Sequence, residues 1–171
     1  LKDWNMPLLQ IIPPFFSDSL FIEAWAKVGL PYLNHEPDHV LFSFHGLPLR
    51  HLKKSEISGN WCRNNKECCL KLTNQNKFCY SAQCYETSKL IAERLKLGAE
   101  NWSVSFQSRF GREEWAKPYT ESHLEELAKR GVKRVVVFCP SFVADCLETL
   151  EEIGIQASEN FRKCGGEKLI L

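Results

Sequence analysis

Short apolar runs alternate along this chain with segments of helical periodicity, and this alternation is what most constrains the fold. Four runs have the length and apolar content of buried strands, and they cover residues 39–44, 102–106, 134–139 and 168–171. Strands that alternate with helices in this way pair in parallel, because each connection carries the chain back to the same edge. The sequence therefore predicts a doubly wound, three-layer α/β domain with a four-stranded parallel sheet.

Capping residues and glycines mark the predicted helices. Ser17 or Asp18 can cap a helix over 20–28 that ends at Gly29, and Thr120 can cap one that ends at Gly131. Further helices are predicted over 80–95, over 142–153 with its end at Gly154, and over 159–164. Residues 45–78 have the polar composition of a long loop.

The composition excludes several classes of partner. The chain of 171 residues is long enough to bury one core, and 25% charged residues with a net charge of +1 are ordinary for a globular domain. With no long basic run, nucleic acid is not expected as a partner. No apolar stretch reaches the roughly 20 residues that span a bilayer. The opening 1–16 is apolar but broken by prolines and lacks the features of a signal peptide, so a cytoplasmic location is expected.

Cysteines are concentrated in one segment. The chain has 8 cysteines, and five of them lie within the loop-like stretch 59–84, at Cys62, Cys68, Cys69, Cys79 and Cys84. In a reducing compartment a dense group of thiols indicates metal or redox ligands more than disulfides. Zinc sites usually contain two closely spaced pairs, and only Cys79 and Cys84 approach that spacing. Zinc, an iron–sulfur cluster and free thiols are all compatible with this pattern.

A histidine and a row of acids follow two of the predicted strands. His45 stands in FSFHGLP at the end of the first strand, and Asp145, Glu148 and Glu152 stand in FVADCLETLEEIG after the third. Their i, i+3, i+7 spacing places the acids on one face of a helix. Carboxyl ends of parallel strands meet at one edge, where ligands bind. One imidazole with carboxylates there forms a weak metal site or a proton path; the alternatives are a core histidine and a solvated acidic face.

A third dense motif, FQSRFGREEWAKPYT, lies between these two and contains Arg109 and Trp115. Arg109 can brace the loop or neutralise an acid, and Trp115 is either a core residue or the wall of a pocket. FSFHGLP, FQSRFGREEWAKPYT and FVADCLETLEEIG, in this order, resemble the C-terminal half of ferrochelatase, the enzyme that inserts ferrous iron into a porphyrin to make haem. The resemblance extends from Trp4 to Leu171.

The resemblance implies roles for particular residues. It assigns His45 and Glu148 to the catalytic pair that also binds the iron, and Glu152 to the same path for metal or protons. Contacts with the porphyrin are implied for Ser43, Trp115 and Phe142. The substrates are then ferrous iron and protoporphyrin or a close porphyrin.

The resemblance also bears on the cysteines, because some ferrochelatases carry a 2Fe–2S cluster. It implies a cluster held by Cys62, Cys69, Cys79 and Cys84, with Cys68 as the substitute for Cys69. Zinc is the alternative occupant. The cluster's purpose, whether structural or sensing, is left open.

The domain organisation follows from the same resemblance. Residues 1–16 are expected to be an interdomain segment, and residues 17–171 to form the C-terminal one of the two similar domains of a class II chelatase. The missing N-terminal domain is then a partner, and the isolated chain is expected to be inactive. A homodimer and a peripheral association with the inner membrane stay open. The alternative functions are a stand-alone iron–sulfur binding or sensing module on a chelatase scaffold, and a single-domain chelatase for another tetrapyrrole.

Overall fold

The structure is a computed structural model that describes residues 8–55 and 66–171. Its centre is a four-stranded sheet in which every neighbouring pair is parallel, in the order β2-β1-β3-β4. The strands are β1 (His39–His45), β2 (Trp102–Gln107), β3 (Arg134–Phe138) and β4 (Lys168–Ile170). The predicted parallel α/β sheet is confirmed, with each strand within a few residues of its predicted bounds.

One helix precedes β1, and the others lie in the connections between strands. The helices are α1 (Ser19–Leu33), α2 (Leu49–Lys54), α3 (Lys66–Cys69), α4 (Tyr80–Arg94), α5 (Thr120–Lys129), a π-helix (Glu148–Ala157) and α6 (Ser158–Lys163). Two of them, α2 and α3, lie in the stretch that the sequence predicted to be loop. Among the described residues, no helix has both the length and the apolar content needed to cross a bilayer.

Two apolar clusters, one on each face of the sheet, make the domain three-layered. Phe42 belongs to the cluster that includes Ile91 of α4, and its neighbour Leu41 belongs to the cluster that includes Leu124 and Phe161. Successive side chains of a strand point to opposite faces. A strand covered by helices on both faces can therefore be apolar on both, as β3 is after Arg134. In β2, by contrast, apolar residues alternate with Ser103, Ser105 and Gln107.

The helix α1 begins as predicted but ends later. The Asp18 carboxylate accepts hydrogen bonds from the backbone N–H groups of Leu20, at 2.9 Å, and Phe21, at 3.1 Å, which caps the first turn. The helix passes through Gly29 and ends at Leu33, so the predicted end at Gly29 is wrong. A Cβ at Gly29 would collide with the ring of Phe138. This glycine permits close packing of α1 on the sheet and does not end the helix.

The predicted helix over 142–153 is wrong at both ends. The segment before Glu148 is not helical, and the π-helix begins at Glu148, runs through Gly154 and continues into α6. The Thr149 hydroxyl accepts from the backbone N–H of Cys146 at 3.0 Å, so this side chain satisfies a donor in the turn that precedes the helix. The consequence is that Glu148 lies at the start of a helix and Asp145 lies outside it.

A hydrogen-bonded chain of two histidines and a serine lies at the amino edge of the sheet. The Ser103 hydroxyl bonds Nε2 of His39 and Nε2 of His123, each at 2.8 Å. Both imidazoles are buried, with 7% of the surface of each exposed. A hydroxyl can donate to one imidazole and accept from the other only if at least one ring nitrogen is unprotonated. In that arrangement the network requires that Nε2 of at least one of the two histidines is unprotonated.

The first prediction concerns the pH dependence of folding. Burial, followed by the charges of His123 and Arg130, lowers the pKa of His39 from 6.5 to about 4. Between these values the unfolded chain binds a proton that the folded chain does not, so the free energy of unfolding should decrease as the pH falls from 6.5 to about 4. Urea denaturation across this range should show a smaller decrease for His39→Gln than for the wild type. The exposed His51 provides the control, since His51→Gln should keep the wild-type dependence; equal curves for His39→Gln and the wild type would contradict the account.

Candidate functional site

His45 is the last residue of β1 and lies at the carboxyl edge of the sheet, paired in register with Gln107 of β2. Its Nδ1 lies 2.7 Å from the carbonyl oxygen of Gly46. A carbonyl only accepts, so Nδ1 carries the hydrogen and Nε2 is the acceptor nitrogen of the neutral ring. Gly46 has little room for a side chain, because a Cβ would lie 3.1 Å from the Gln107 carbonyl and 3.2 Å from the Trp115 ring.

Two aromatic rings flank the His45 imidazole. The centroid of the imidazole lies 6.2 Å from that of Trp115 and 6.1 Å from that of Phe142. Both aromatic residues are half-buried. The indole Nε1 of Trp115 is buried and has no hydrogen-bond partner among the residues that the structure describes. Such groups usually find a partner, so this nitrogen is a feature that a bound molecule or a further part of the protein could satisfy.

Glu148 brings a carboxylate towards His45. A hydrogen bond from its own backbone N–H lowers the pKa of the Glu148 carboxyl most, followed by one from the Cys146 thiol, and the charge of His45 lowers it further. The carboxylate is thus stabilised in its ionised form at the start of the π-helix, where the helix dipole also favours an anion. His45 and Glu148, which the sequence predicted as a pair, lie close enough to interact electrostatically.

Glu152 is fixed to the end of β2. Its carboxylate accepts from the backbone N–H and the hydroxyl of Ser108, both at 2.6 Å, and from Gln107 Nε2 at 3.2 Å. Ser108 adopts a left-handed conformation, with φ of 63°, which turns the chain back towards the π-helix. The predicted acid therefore lies at the same edge as His45 and is held by three donors.

Gln107 and Ser108 belong to the candidate site by their contacts, and sequence reasoning missed both. Gln107 also donates from Nε2 to the backbone carbonyl of Glu148 at 2.7 Å. The available signal was a buried strand that ends in two polar residues, at the sheet edge where ligands bind.

The remaining residues predicted for this site lie around it. Asp145 lies in the loop before the π-helix, so it does not share a helical face with the other two acids as predicted. Ser43 is fully buried and donates to Gln107 Oε1 at 2.7 Å, so in this conformation its influence passes through Gln107. The Arg109 guanidinium lies over the Tyr119 ring, 4.9 Å from its centroid.

The described cysteines of the predicted cluster lie near one another around the start of α4. Cys62 lies outside the described residues. The Sγ atoms of Cys68 and Cys69 are 3.7 Å apart, and the Cys69 thiol hydrogen-bonds Cys79. Cys84 is buried one turn further along α4, where the Tyr80 hydroxyl contacts its thiol. Within the described ranges, no three His, Cys, Asp or Glu side chains are grouped as metal ligands.

In the Cys69–Cys79 pair, the Cys69 thiol donates the hydrogen bond and Cys79 accepts it. The hydrogen bond from Cys69 lowers the pKa of the Cys79 thiol, and backbone N–H groups of Ala82 and Ser81 lower it further against the effect of burial. The hydrogen bond to Cys79 and burial raise the pKa of Cys69. A thiolate at a helix start is the form that binds metals, so Cys79 is the described thiol best prepared to act as a ligand.

Two cavities border the His45 edge. One, of about 300 Å³, is lined by residues from both the cysteine region and the sheet edge, including Tyr80, Cys84, Phe44 and Ser141. The other, of about 420 Å³, lies between α1 and the loop that contains Phe142. The Ser141 hydroxyl accepts from the backbone N–H of His45 at 3.0 Å, so the first cavity and the histidine share a wall.

The fold and this geometry define an α/β domain with an imidazole and carboxylates at the carboxyl edge of a parallel sheet. Comparison with known proteins gives the family. The profile of the family described as Ferrochelatase matches residues 1–171. The chain belongs to the ferrochelatase family, and the resemblance found in its sequence is confirmed.

Curated relatives agree with the profile. The chain is 50% identical over 164 residues to a ferrochelatase of Pseudomonas fluorescens (strain Pf0-1), an alignment that covers 95% of this chain and 48% of the relative. It is 48% identical over 173 residues to a ferrochelatase of Pseudomonas entomophila, covering 100% of this chain and 51% of the relative. A ferrochelatase of Azotobacter vinelandii is 48% identical over 164 residues, with 95% and 48% covered. The chain spans about half the length of the curated relatives it matches.

Proposed function

We propose that this chain is the C-terminal domain of a ferrochelatase, which inserts Fe(II) into protoporphyrin or a close porphyrin to form haem. The observation that carries the proposal is that His45 and the Glu148 carboxylate lie close enough to interact at the carboxyl edge of the sheet, with the rings of Trp115 and Phe142 near the imidazole. Membership of the family supports it. Insertion consumes Fe(II) and a porphyrin with two pyrrole N–H groups, and it yields haem and two protons.

The chemistry assigned to the pair follows from its donors. With Nδ1 bonded to the Gly46 carbonyl, His45 Nε2 has a lone pair that can accept a pyrrole proton or bind the substrate iron. Glu148 is an ionised carboxylate beside it and supplies negative charge as a cationic metal approaches. An imidazole and a carboxylate bind Fe(II) more weakly than thiolates hold cluster iron. Weak binding suits a site that must release its metal to the porphyrin. Glu152 extends the path for metal or protons behind Glu148.

The aromatic groups are assigned to the macrocycle. A flat porphyrin must be bent so that nitrogen lone pairs point towards the entering metal, and binding energy from the pocket walls supplies that distortion. Trp115 and Phe142 present half-buried rings about 6 Å from His45 and would contact the porphyrin. Ser43 is fully buried, so its effect on the substrate would be indirect, through its bond to Gln107 and the Glu152 carboxylate that Gln107 contacts.

The domain assignment places residues 1–16 between two domains and residues 17–171 in the C-terminal one. The described part of the opening supports this, because Leu8, Ile11 and Ile12 each expose 80% or more of their surface. An apolar run this exposed usually contacts a partner. The N-terminal half of the enzyme is the proposed partner, in a cytoplasmic protein. A peripheral contact with the inner membrane and a homodimer remain proposals for the whole enzyme.

The cysteines are proposed to hold a 2Fe–2S cluster, with Cys62, Cys69, Cys79 and Cys84 as ligands and Cys68 as the substitute for Cys69. The donor chemistry fits, since the Cys69 and Cys79 thiols are in contact and Cys79 favours the thiolate. A bound cluster would supply a one-electron couple; no step of iron insertion is assigned to it. Zinc is the alternative occupant. A sensing role for the same region, without catalysis, is the second candidate function, favoured by the gathering of these thiols beside a cavity that shares a wall with His45.

The second prediction tests the catalytic pair. In the full-length protein that contains this chain, His45→Ala and Glu148→Ala should each reduce the turnover of iron insertion by about 100-fold or more, as removal of a positioned acid or base does. Neither residue is part of an apolar core, so the melting temperature should change little. Glu151→Ala is the matched control, because Glu151 lies on the same π-helix and accepts a hydrogen bond from the exposed side chain of Gln156. Near-normal turnover in an anaerobic assay of either test variant would refute the assignment.

The third prediction tests the cluster. Serine at Cys62, Cys69, Cys79 or Cys84 should bleach or shift the visible absorption of anaerobically purified protein. The control is Cys164→Ser, at a half-buried residue that packs on the opposite side of the sheet. Metal analysis should find iron and acid-labile sulfide; zinc without sulfide would replace the cluster with the alternative.

The fourth prediction concerns the 171 residues alone. They offer one wall of a cleft, so they should fold yet show no measurable iron insertion with protoporphyrin. The exposed apolar opening should cause self-association, and Ile11→Glu with Ile12→Glu should reduce it in size-exclusion chromatography. Turnover by a monomeric form of the isolated chain would favour the single-domain chelatase instead.

A further inference from the structure

A row of polar side chains replaces apolar core on the α5 side of the sheet, directly beneath the site. Ser43, Ser105 and Gln107 are each at most 3% exposed, as is Thr120 at the start of α5. Ser43 of β1 pairs in register with Ser105 of β2, and on the same face of β1 Leu41 is part of the apolar core. Burial of hydroxyl and amide groups costs stability compared with apolar side chains. The fold does not require them there.

The hydrogen bonds among these side chains run in one direction. The Glu152 carboxylate and the Glu148 carbonyl only accept, so the Gln107 amide nitrogen faces both of them and its Oε1 faces inward. Oε1 accepts from the Ser43 hydroxyl at 2.7 Å and, more weakly, from the Cys139 thiol at 3.6 Å. The single hydroxyl hydrogen of Ser43 is therefore donated to Gln107, and Ser43 can only accept from its other neighbour.

The direction extends to the far end of the row. Because Ser43 donates to Gln107, the Thr120 hydroxyl, 2.9 Å away, must donate to Ser43. Thr120 in turn accepts from the Ser105 hydroxyl, 2.8 Å away. The result is a chain of donors from Ser105 through Thr120 and Ser43 to Gln107, with its final acceptor at Glu152. Chains of this kind polarise and orient their members.

We propose that Gln107, oriented by this buried hydroxyl chain, is the positioning residue that fixes Glu148 and Glu152 opposite His45. One amide nitrogen bonds the first residue of the π-helix and the side chain of a second acid one turn later. It therefore sets both the height of the helix above the sheet and the direction of Glu152. The inference rests on the proposed function for its catalytic consequence, but the positioning itself is a structural statement.

The experiment uses the full-length protein that contains this chain and measures two quantities. The first is anaerobic iron insertion, separated into kcat and KM for protoporphyrin. The second is hydrogen–deuterium exchange of peptides that cover 147–157, which reports how often the helix start opens. Gln107→Leu removes the amide while keeping similar volume. Thr120→Val removes one hydroxyl of the chain without changing shape, and Thr120→Ser restores that hydroxyl.

The matched control is Thr87→Val. Thr87 is a threonine of similar burial, 2% exposed, whose hydroxyl bonds the Phe16 and Gln83 carbonyls on the other side of the sheet. It measures what the loss of any buried threonine hydroxyl does to the protein.

Gln107→Leu should lower kcat by about tenfold or more and accelerate exchange at 147–157, since it removes a donor from two acceptors, one of them charged. KM should stay within about twofold, because no porphyrin contact is assigned to Gln107. Thr120→Val should act in the same direction and more weakly, and Thr120→Ser and Thr87→Val should leave kcat and this exchange near the wild type.

The proposal is overturned if Gln107→Leu and Thr120→Val change kcat and exchange no more than Thr87→Val does, or if Thr120→Ser is as impaired as Thr120→Val. A wild-type protein that inserts no iron would refute the proposed function alone. Exchange would then decide the positioning, with acceleration in Gln107→Leu and Thr120→Val supporting it and exchange equal to Thr87→Val refuting it. If Gln107→Leu does not fold, the two Thr120 variants decide by the same criteria.

Discussion

The parallel pairing of β1 with β2, in the register that places His45 opposite Gln107, determines where every other group of the site lies. It brings the ends of both strands to one edge, and the chain after each then turns under a local constraint. Gly46 leaves room for the Trp115 ring after β1, and the left-handed Ser108 redirects the chain after β2. A slip of one residue would reverse the faces of a strand, so the two apolar clusters that hold this register also hold the site.

The polar row beneath the site shows what this arrangement costs. Apolar side chains on that face would pack into the core as Leu41 does, two residues before Ser43 on the same face of β1. The fold instead buries hydroxyl groups and an amide, each with a hydrogen-bond partner in the row or on the π-helix. Satisfied buried networks specify one arrangement of the groups they connect. Here the connected groups are the strand that precedes the turn and the helix that presents the acids.

Much of the architecture could be predicted from the sequence because burial on both faces leaves a strong pattern. The strand Arg134–Phe138 is apolar and buried after its first residue, and the position of His45 follows from where a strand ends. The start of the π-helix could not be predicted, because the turn before it is held by several bonds of Thr149 to Cys146 and Asp145 that no periodicity records. Gly29 and Gly154 resembled helix ends, yet both lie inside helices, and in the case of Gly29 the reason is a contact with a ring distant in sequence.

The site was predictable in its charged members and not in its supports. His45, Glu148 and Glu152 carry chemistry that can be recognised one residue at a time. Gln107 acts through bonds to residues about forty positions away that no local pattern records, and Ser43 next to His45 resembled a substrate contact although its hydroxyl is directed into the core. The cysteines could be predicted in part. Their clustering is visible in the sequence, while their grouping around Cys79 depends on how α3 packs against α4.

The central claim, that the carboxyl edge of this sheet holds the substrate iron between an imidazole and a carboxylate, can be tested most directly by diffraction. Crystals of the full-length protein that contains this chain would be soaked with Fe(II) under anaerobic conditions, and anomalous maps would be measured at the iron edge. The account predicts a peak within bonding distance of His45 Nε2 and the Glu148 carboxylate, which is absent from crystals of Glu148→Ala. Iron bound only elsewhere, with no peak at this edge in the wild type, would contradict it.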